Sequence, residues 1–283
     1  MTLAISLKVN DGLILASDSA TTLYDDKGSI LKVYNNANKI FNLRKGLPIG
    51  AITWGAGSIG SIAISTLAKD LRRRFAGKDP NHQDWRIDPD SYTIEQVADR
   101  LRAFMYEEHY LPLYKDTPKK PFLGFIVGGH TPNEGLAEEY LVTIVDGSCN
   151  APTPLRPKDQ CGWNAQGQPE AVVRLVLGFS QRLPQILTED LGVAQAQLAQ
   201  AVQVIRAKSE VFMLSPAMPI QDAIELAEFL VDLTIKYERF VLMPGAGTVG
   251  GPIEIAAITK HEGFKWVKRK HYFNGDLNPG ESM

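Results

Sequence analysis

The fold is decided by the opening stretch, Met1-Thr2-Leu3-Ala4-Ile5-Ser6-Leu7-Lys8-Val9, then Asn10-Asp11-Gly12, then Leu13-Ile14-Leu15-Ala16-Ser17-Asp18-Ser19-Ala20-Thr21-Thr22. Two apolar runs flank three residues that tolerate the backbone of a tight turn, which predicts a hairpin of strands over 3–9 and 13–19. A small hydroxyl residue, Thr2, directly follows the initiator Met, and the second run ends in one carboxylate, Asp18, among hydroxyls. Antiparallel pairing brings the end of the second strand beside the start of the first. Such a hairpin carries its own chain terminus into a site with a carboxylate in it.

Beyond the hairpin, a polar excursion has Asp25-Asp26-Lys27-Gly28 at its tip, and strands are predicted over 39–43 and 49–54, the latter free of charge and so buried. A glycine-rich turn over 55–61 leads into a helix with Ile59, Ile62, Ala63, Leu67 and Leu71 as its apolar face. A loop over 76–90 holds two prolines, and Ser91 or Thr93 caps a second helix whose stripe is Ile94, Val97, Leu101 and Phe104. Pro112 and Pro118 bracket another loop; strands follow over 122–127 and 140–145; 149–168 reads as irregular. Helices are expected from Pro169-Glu170, in part of 185–214, and from Pro219 onward, before a last hairpin over 253–259 and 264–267. The tail over 273–283 reads as frayed. Strands, helices, strands, helices and strands in that order predict an α+β protein, antiparallel sheet with helices on its outer faces, as a single domain over 1–283.

The chain of 283 residues has a formal net charge of -2, which argues against a nucleic-acid partner. Arg72-Arg73-Arg74 reads as a solvated helix end. Two cysteines, Cys149 and Cys161, make neither a metal pattern nor a disulfide framework, and no run spans a bilayer. Lys8, Asn10 and Asp11 interrupt the first apolar run, which is not a signal peptide. These features predict a cytoplasmic protein without membrane partners, and no metal site is expected from its five scattered histidines.

On position alone Thr2 is an ordinary strand residue. Exposed as the terminus after Met1 removal, it combines Oγ1 with an α-amine whose ordinary pKa, about 7.7–8.0, suits a base near neutrality. Asp18 and Lys39 supply an ion pair that antiparallel strands place near Thr2; as an isolated feature it is a common strand-end pair. Gly55-Ala56-Gly57-Ser58-Ile59-Gly60 admits three uses: a dinucleotide fingerprint on Gly55, Gly57 and Gly60, an oxyanion hole, or a tight turn and nothing more. The fingerprint also needs a parallel strand after the helix, and the hydrophilic stretch over 76–90 does not supply one.

Thr2, Asp11-Gly12, Ala16-Ser17-Asp18-Ser19 with Thr22, Asn38-Lys39-Ile40 and Trp54-Gly55-Ala56-Gly57 together resemble the amino-terminal third of proteasome β-type subunits and their bacterial relatives, among them the homologue called Anbu. Thr248-Val249-Gly250-Gly251-Pro252-Ile253 resembles the Anbu segment before the last hairpin. The resemblance implies the N-terminal nucleophile hydrolase fold, a four-layer αββα sandwich of two antiparallel sheets. It implies a threonine peptidase or amidohydrolase that needs no cofactor, with Thr2 as nucleophile and base, Asp18 and Lys39 as supporting pair, and Gly55 as oxyanion donor. Thr21 falls where the backbone pairs with a peptide substrate, and Ala37, Thr53 and Gly57 fall at the first specificity pocket. A homo-oligomer, as a ring or an open helical assembly, is implied, and an ATP-dependent unfoldase is an admissible partner.

The sequence departs from the β-subunit pattern in three places. Gln166 stands in the segment where those proteins carry a serine near the α-amine, and the stretch before Gly250-Gly251 lacks their Asp and Ser, leaving Thr248 as the hydroxyl at hand for a proton relay. Residues 185–214 are extra relative to ordinary β-subunits. The competing reading is a non-catalytic assembly or scaffold protein of the same fold.

Overall fold

The computed structural model describes residues 2–25, 28–242 and 247–271. Strand β1 (Leu3–Val9) turns into β2 (Gly12–Ser17), followed by the hairpin of β3 (Thr21–Tyr24) and β4 (Ile30–Tyr34), then β5 (Ile40–Asn42) and β6 (Ile49–Gly55). The short pair β7 (Ser58–Ile59) and β8 (Ile62–Ala63) precedes helix α1 (Ile64–Phe75); α2 (Ile94–Arg102) runs on through a wide π-type segment, Ala103–Tyr110, into α3 (Leu111–Tyr114). After β9 (Leu123–Gly129), β10 (Glu138–Val145), β11 (Ser148–Cys149), β12 (Thr153–Pro154) and β13 (Gly162–Gly167) come α4 (Glu170–Leu177), α5 (Leu183–Gln185), α6 (Gln195–Ser209) and α7 (Ile220–Phe240). The last elements are β14 (Glu254–Thr259) and β15 (Gly263–Lys268).

Five strands form one sheet in the order β13-β1-β2-β14-β15, and a second sheet runs β11-β10-β9-β6-β5, with every strand pair among the described residues antiparallel. Strand β1 is buried on both faces, and its period of two sorts its side chains. Leu3, Ile5, Leu7 and Val9 pack with Val172 and Val176 of α4 and with Ala223, Ala227 and Leu230 of α7. Ala4 points the other way, with Leu13 and Leu15, onto Ile52, Trp54 and Ile126 of the second sheet. The far face of that second sheet, through Ile49, Ala51, Phe125 and Val127, meets Leu67 and Leu71 of α1 and Val97 and Leu101 of α2. Three apolar clusters therefore stack in order, and the molecule is a mixed α+β structure built on antiparallel sheets. Among the described residues no helix is long and apolar enough to cross a membrane.

Several expectations need correction. Residues 149–168 are not irregular throughout: β13 lies there and pairs with β1, in the register Leu3 opposite Gly167. Its sequence, Gly-Trp-Asn-Ala-Gln-Gly, lacks apolar alternation because its residues are only half-covered. The glycine-rich turn over 55–61 does not open a helix; β7 and β8 intervene, and Ile62 and Ala63 are exposed and absent from the apolar face. Pro112 does not bound a loop: it sits inside α3, late in the continuous helical run that begins at Ile94 and directly after the wide π-type segment. The excursion after Thr21 is largely hairpin, with positions 26–27 outside the described residues, as is the tail predicted to fray. Thr93 is the cap of α2, in a full capping box with Gln96.

One buried group sets an acid limit on stability. His130, directly after β9, is 2% exposed. Its pKa is pushed down to about 4, chiefly by burial; Lys260 and Lys8 add to the effect, while a backbone hydrogen bond at Ile258 and the charge of Glu138 oppose it. The folded pKa lies below the unfolded one, so the stabilisation from a neutral imidazole is complete above about pH 6.5 and is lost as pH falls toward 4. We expect His130→Leu to reduce the stability loss between pH 7 and pH 4 by about 2–3 kcal/mol, read from urea unfolding at both pH values.

Candidate active site

The N-terminal end of β1 is fixed by the strands on both sides of it. The carbonyl of Thr2 accepts the N–H of Gln168 at 2.9 Å, just past β13. Gly167 has φ +87°, and a Cβ there would stand 1.9 Å from that carbonyl oxygen, so only glycine lets β13 approach Thr2. On the other side, Ala4 pairs with Ser17, which places Asp18 next to the start of β1.

Asp18 is completely buried and fully satisfied. Its Oδ1 accepts the Lys39 ammonium at 2.7 Å and the Leu3 N–H at 2.9 Å; its Oδ2 accepts the N–H groups of Ala20 and Gly250, both at 3.0 Å. Ser17 Oγ ties the strand ends further, donating toward the carbonyls of Leu3 at 2.9 Å and Asp18 at 2.8 Å. Lys39 is 4% exposed, and burial lowers its pKa while the charge and hydrogen bond of Asp18 act to raise it. Residues next to β5 secure it, since the Lys39 carbonyl accepts the N–H of Thr53 at 2.9 Å.

A cavity of about 240 Å³ opens over this pair. It is lined by Thr2, Lys39 and Gly55, and by all of the sequence-predicted substrate residues: Thr21, Ala37, Thr53 and Gly57. Asp18 lies behind Lys39 rather than on the wall. Two of the glycines have clear steric reasons. Gly55 has φ +91°, and a Cβ would meet the Phe122 carbonyl at 2.5 Å; a Cβ at Gly57 would come within 3.3 Å of Thr21 Oγ1 and narrow the cavity. Helix α1 starts only at Ile64 and leads to no parallel strand, so Gly55, Gly57 and Gly60 do not form a dinucleotide fingerprint.

The two residues expected to complete a proton relay do not line the cavity. Gln166 sits opposite Ala4 on β13, and its Nε2 donates to Asn164 Oδ1 at 3.0 Å. Thr248 is buried in the segment after α7. That segment instead serves a residue that sequence reasoning missed. Glu238, 9% exposed near the end of α7, accepts the N–H of Gly247 at 3.1 Å, while Gly250 of the same segment holds Asp18. Burial raises the Glu238 pKa; hydrogen bonds from the backbone of Gly247 and Thr248 work against this, and the charge of Asp18 works with it. The available signal was a carboxylate continuing the buried helical stripe of Ala223, Ala227, Leu230 and Thr234. A second ion pair was also unforeseen: Lys270 reaches Glu254 at 2.8 Å, Ser19 Oγ at 2.7 Å and the Ala37 carbonyl at 2.8 Å, and so fixes the cavity wall at Ala37.

No family model matches the chain, and no curated protein matches it in sequence. Solved structures do. Anbu (ancestral beta-subunit) from Yersinia bercovieri superposes with a TM-score of 0.52 at 14% identity, over 95% of this chain and 88% of that one. The chain has the fold of Anbu. A second structure, the helical assembly of the Anbu complex from Pseudomonas aeruginosa, matches with a TM-score of 0.50 at 16% identity, over 97% of this chain and 90% of that one. At these identities the likeness to Anbu concerns the fold; the chemistry of the cavity rests on this chain's own residues.

Proposed function

We propose that the chain is a proteasome-related, Anbu-type N-terminal nucleophile hydrolase, a four-layer αββα sandwich in one domain over 1–283, and that it cleaves peptide or related amide bonds with Thr2. The observation that carries this reading is the single cavity shared by Thr2, Lys39 and Gly55, with Asp18 paired to Lys39 behind it.

In this reading removal of Met1 frees the Thr2 α-amine. The neutral amine takes the proton of Oγ1 as that oxygen attacks the substrate carbonyl carbon. Lys39, kept cationic by Asp18, stabilises the developing alkoxide electrostatically. The carbonyl π electrons move onto oxygen, and the Gly55 N–H receives the charge. Strand alternation supports that donor: the Thr53 N–H, two residues earlier, points to Lys39, whereas the Ala56 N–H points away to Phe122. Collapse breaks the C–N bond, the leaving amine takes the proton from the α-ammonium, and an ester on Thr2 remains. Water, deprotonated by the same amine, then hydrolyses the ester. The mechanism uses only protein groups and water.

Glu238 supplies a buried carboxylate held by the same segment as Thr248, and we assign it the role of biasing the α-amine environment through the 247–250 segment. Activity should then fall as pH drops and the Thr2 α-amine takes up its proton, and Glu238→Gln, by removing a negative charge that favours the ammonium form, should move that acid limb of the kcat/KM profile to lower pH. The stability sign provides a check. A carboxylate with a raised folded pKa stabilises the fold only at low pH, so Glu238→Gln should raise Tm at pH 7, with the gain vanishing below about pH 4.5.

The Anbu complex of Pseudomonas aeruginosa is a helical assembly, and this supports a homo-oligomer, an open helical one in preference to a ring, for this chain too. An ATP-dependent unfoldase partner and a cytoplasmic setting belong to the same reading. The scaffold alternative draws on Gln166 and Thr248, which stand apart from the cavity. Intact-mass measurement of the native protein, coupled to a threonine-directed epoxyketone or β-lactone, separates the two. A hydrolase lacks the mass of Met1 and gains one adduct on Thr2; a chain that keeps Met1 has no free amine on Thr2 and is the scaffold.

A further inference from the structure

A second cavity is larger than the one that holds Thr2. It measures about 600 Å³ and lies where both sheets end, between edge strands β5 and β15, with α1 across it. Its walls carry Lys45, Lys69, Arg72, Lys265 and Arg269, five cations in a chain whose net charge is -2. The carboxylate among the lining residues, Glu254, is already paired with Lys270 at 2.8 Å. Among the described residues no acidic side chain pairs with any of the five cations.

The two guanidiniums are placed with a purpose. Arg72 projects from a half-buried position on α1, beside the exposed Arg269 just after β15. Burial lowers the pKa of Arg72, and the charge of Arg269 lowers it further, so the two sit close enough to repel. Arg269 is held over the Trp266 ring at 4.6 Å, and Phe264 braces that ring edge-on at 5.2 Å. A pair of forked donors with like charge and no paired carboxylate among the described residues is an arrangement that phosphate oxygens satisfy, because each fork takes two oxygens at once. A monovalent carboxylate would leave most of the positive charge unmatched and most of the volume empty.

We infer that this cavity binds a polyvalent phosphate, free or borne by a nucleotide, gripped between Arg72 and Arg269 with the lysines on its rim. The inference does not depend on peptidase activity. It does have a bearing on the first site, because Asn38 and Ser65 line both cavities, and an anion in one adjoins the wall of the other.

Titration calorimetry on the whole chain at about 0.15 M ionic strength tests it, with inorganic tripolyphosphate, ATP and a hexaglutamate peptide as probes. Tripolyphosphate or ATP is expected to bind at one site per chain. Arg72→Gln and Arg269→Gln should each weaken binding about tenfold or more, as loss of charged hydrogen bonds worth ~1.5–3 kcal/mol predicts. Lys32→Gln, outside the cavity, should leave it unchanged. Should Arg72→Gln fail to fold, Lys69→Gln on the exposed rim keeps the test open, with a shallower salt dependence as its expected sign. ATP binding more tightly than tripolyphosphate points to a nucleotide source, and equal binding to the phosphate chain alone. No saturable binding, variants that bind like the wild type, or tighter binding of hexaglutamate would each overturn the inference.

Discussion

Thr2→Ala is expected to abolish epoxyketone labelling and to reduce peptide hydrolysis to background, a loss of at least ~10³-fold if the other groups act as a unit with the nucleophile. The fold should survive. Thr2 is held through its backbone, by the strand register and the Gln168 N–H, and no hydrogen bond from Oγ1 is found among the described residues. Circular dichroism and Tm of Thr2→Ala should therefore match the wild type while activity is gone. Thr2→Ser keeps an oxygen and an α-amine in the same place and should retain labelling. Equal labelling of wild type and Thr2→Ala would move the nucleophile elsewhere and end the threonine mechanism. A variant that loses oligomeric assembly along with activity would favour the scaffold reading.

Asp18→Ala is expected to cost more stability than any other single substitution near the cavity. It leaves the Lys39 ammonium buried without a counter-charge and strips acceptors from the N–H groups of Leu3, Ala20 and Gly250. Breaking a buried pair by removing one partner costs about 3–5 kcal/mol, and unpaired buried donors add to this non-additively. A fall of about 4 kcal/mol or more in urea unfolding, or failure to express as folded protein, is the expected result. Asp18→Asn should recover little, because its amide group turns a donor toward one of the two donor pairs now facing carboxylate oxygens. Asp18→Ala combined with Lys39→Met removes the stranded charge and should regain more than half of the loss. Without that recovery, the three backbone N–H groups, and not the ion pair, would be the main role of Asp18.

These two residues show how the chain was legible. Asp18 and Thr2 stand 16 positions apart on two short apolar runs with a turn between them, and local pairing suffices to join them. Lys39, Gly55 and the small residues of the cavity were legible only because their order matched a known family. Nothing in their own spacing sets the second sheet against the first. The strand β13 was not legible, and Glu238 offered only its place on the apolar stripe of α7. β13 is half-covered and so carries no apolar alternation, and it reaches β1 across some 160 positions of sequence. The partner of Glu238 lies beyond the end of its helix, in the segment over 247–250, so nothing within the helix itself marked the carboxylate as held.

The sequence by itself determined the opening hairpin, the α+β order of elements, and the apolar faces of α2 and α7. Those features follow from neighbours along the chain, through turn chemistry and periodicity. The tertiary structure decided which distant segments complete the site. It set Gln166 and Thr248 away from the cavity, placed Gly250 on Asp18 and Gly247 on Glu238, and left five cations around an open cavity at the sheet edges. Burial is a property of the folded whole, and it is burial that gives Asp18 an obligate partner and alters the proton affinity of Lys39, Glu238 and Arg72.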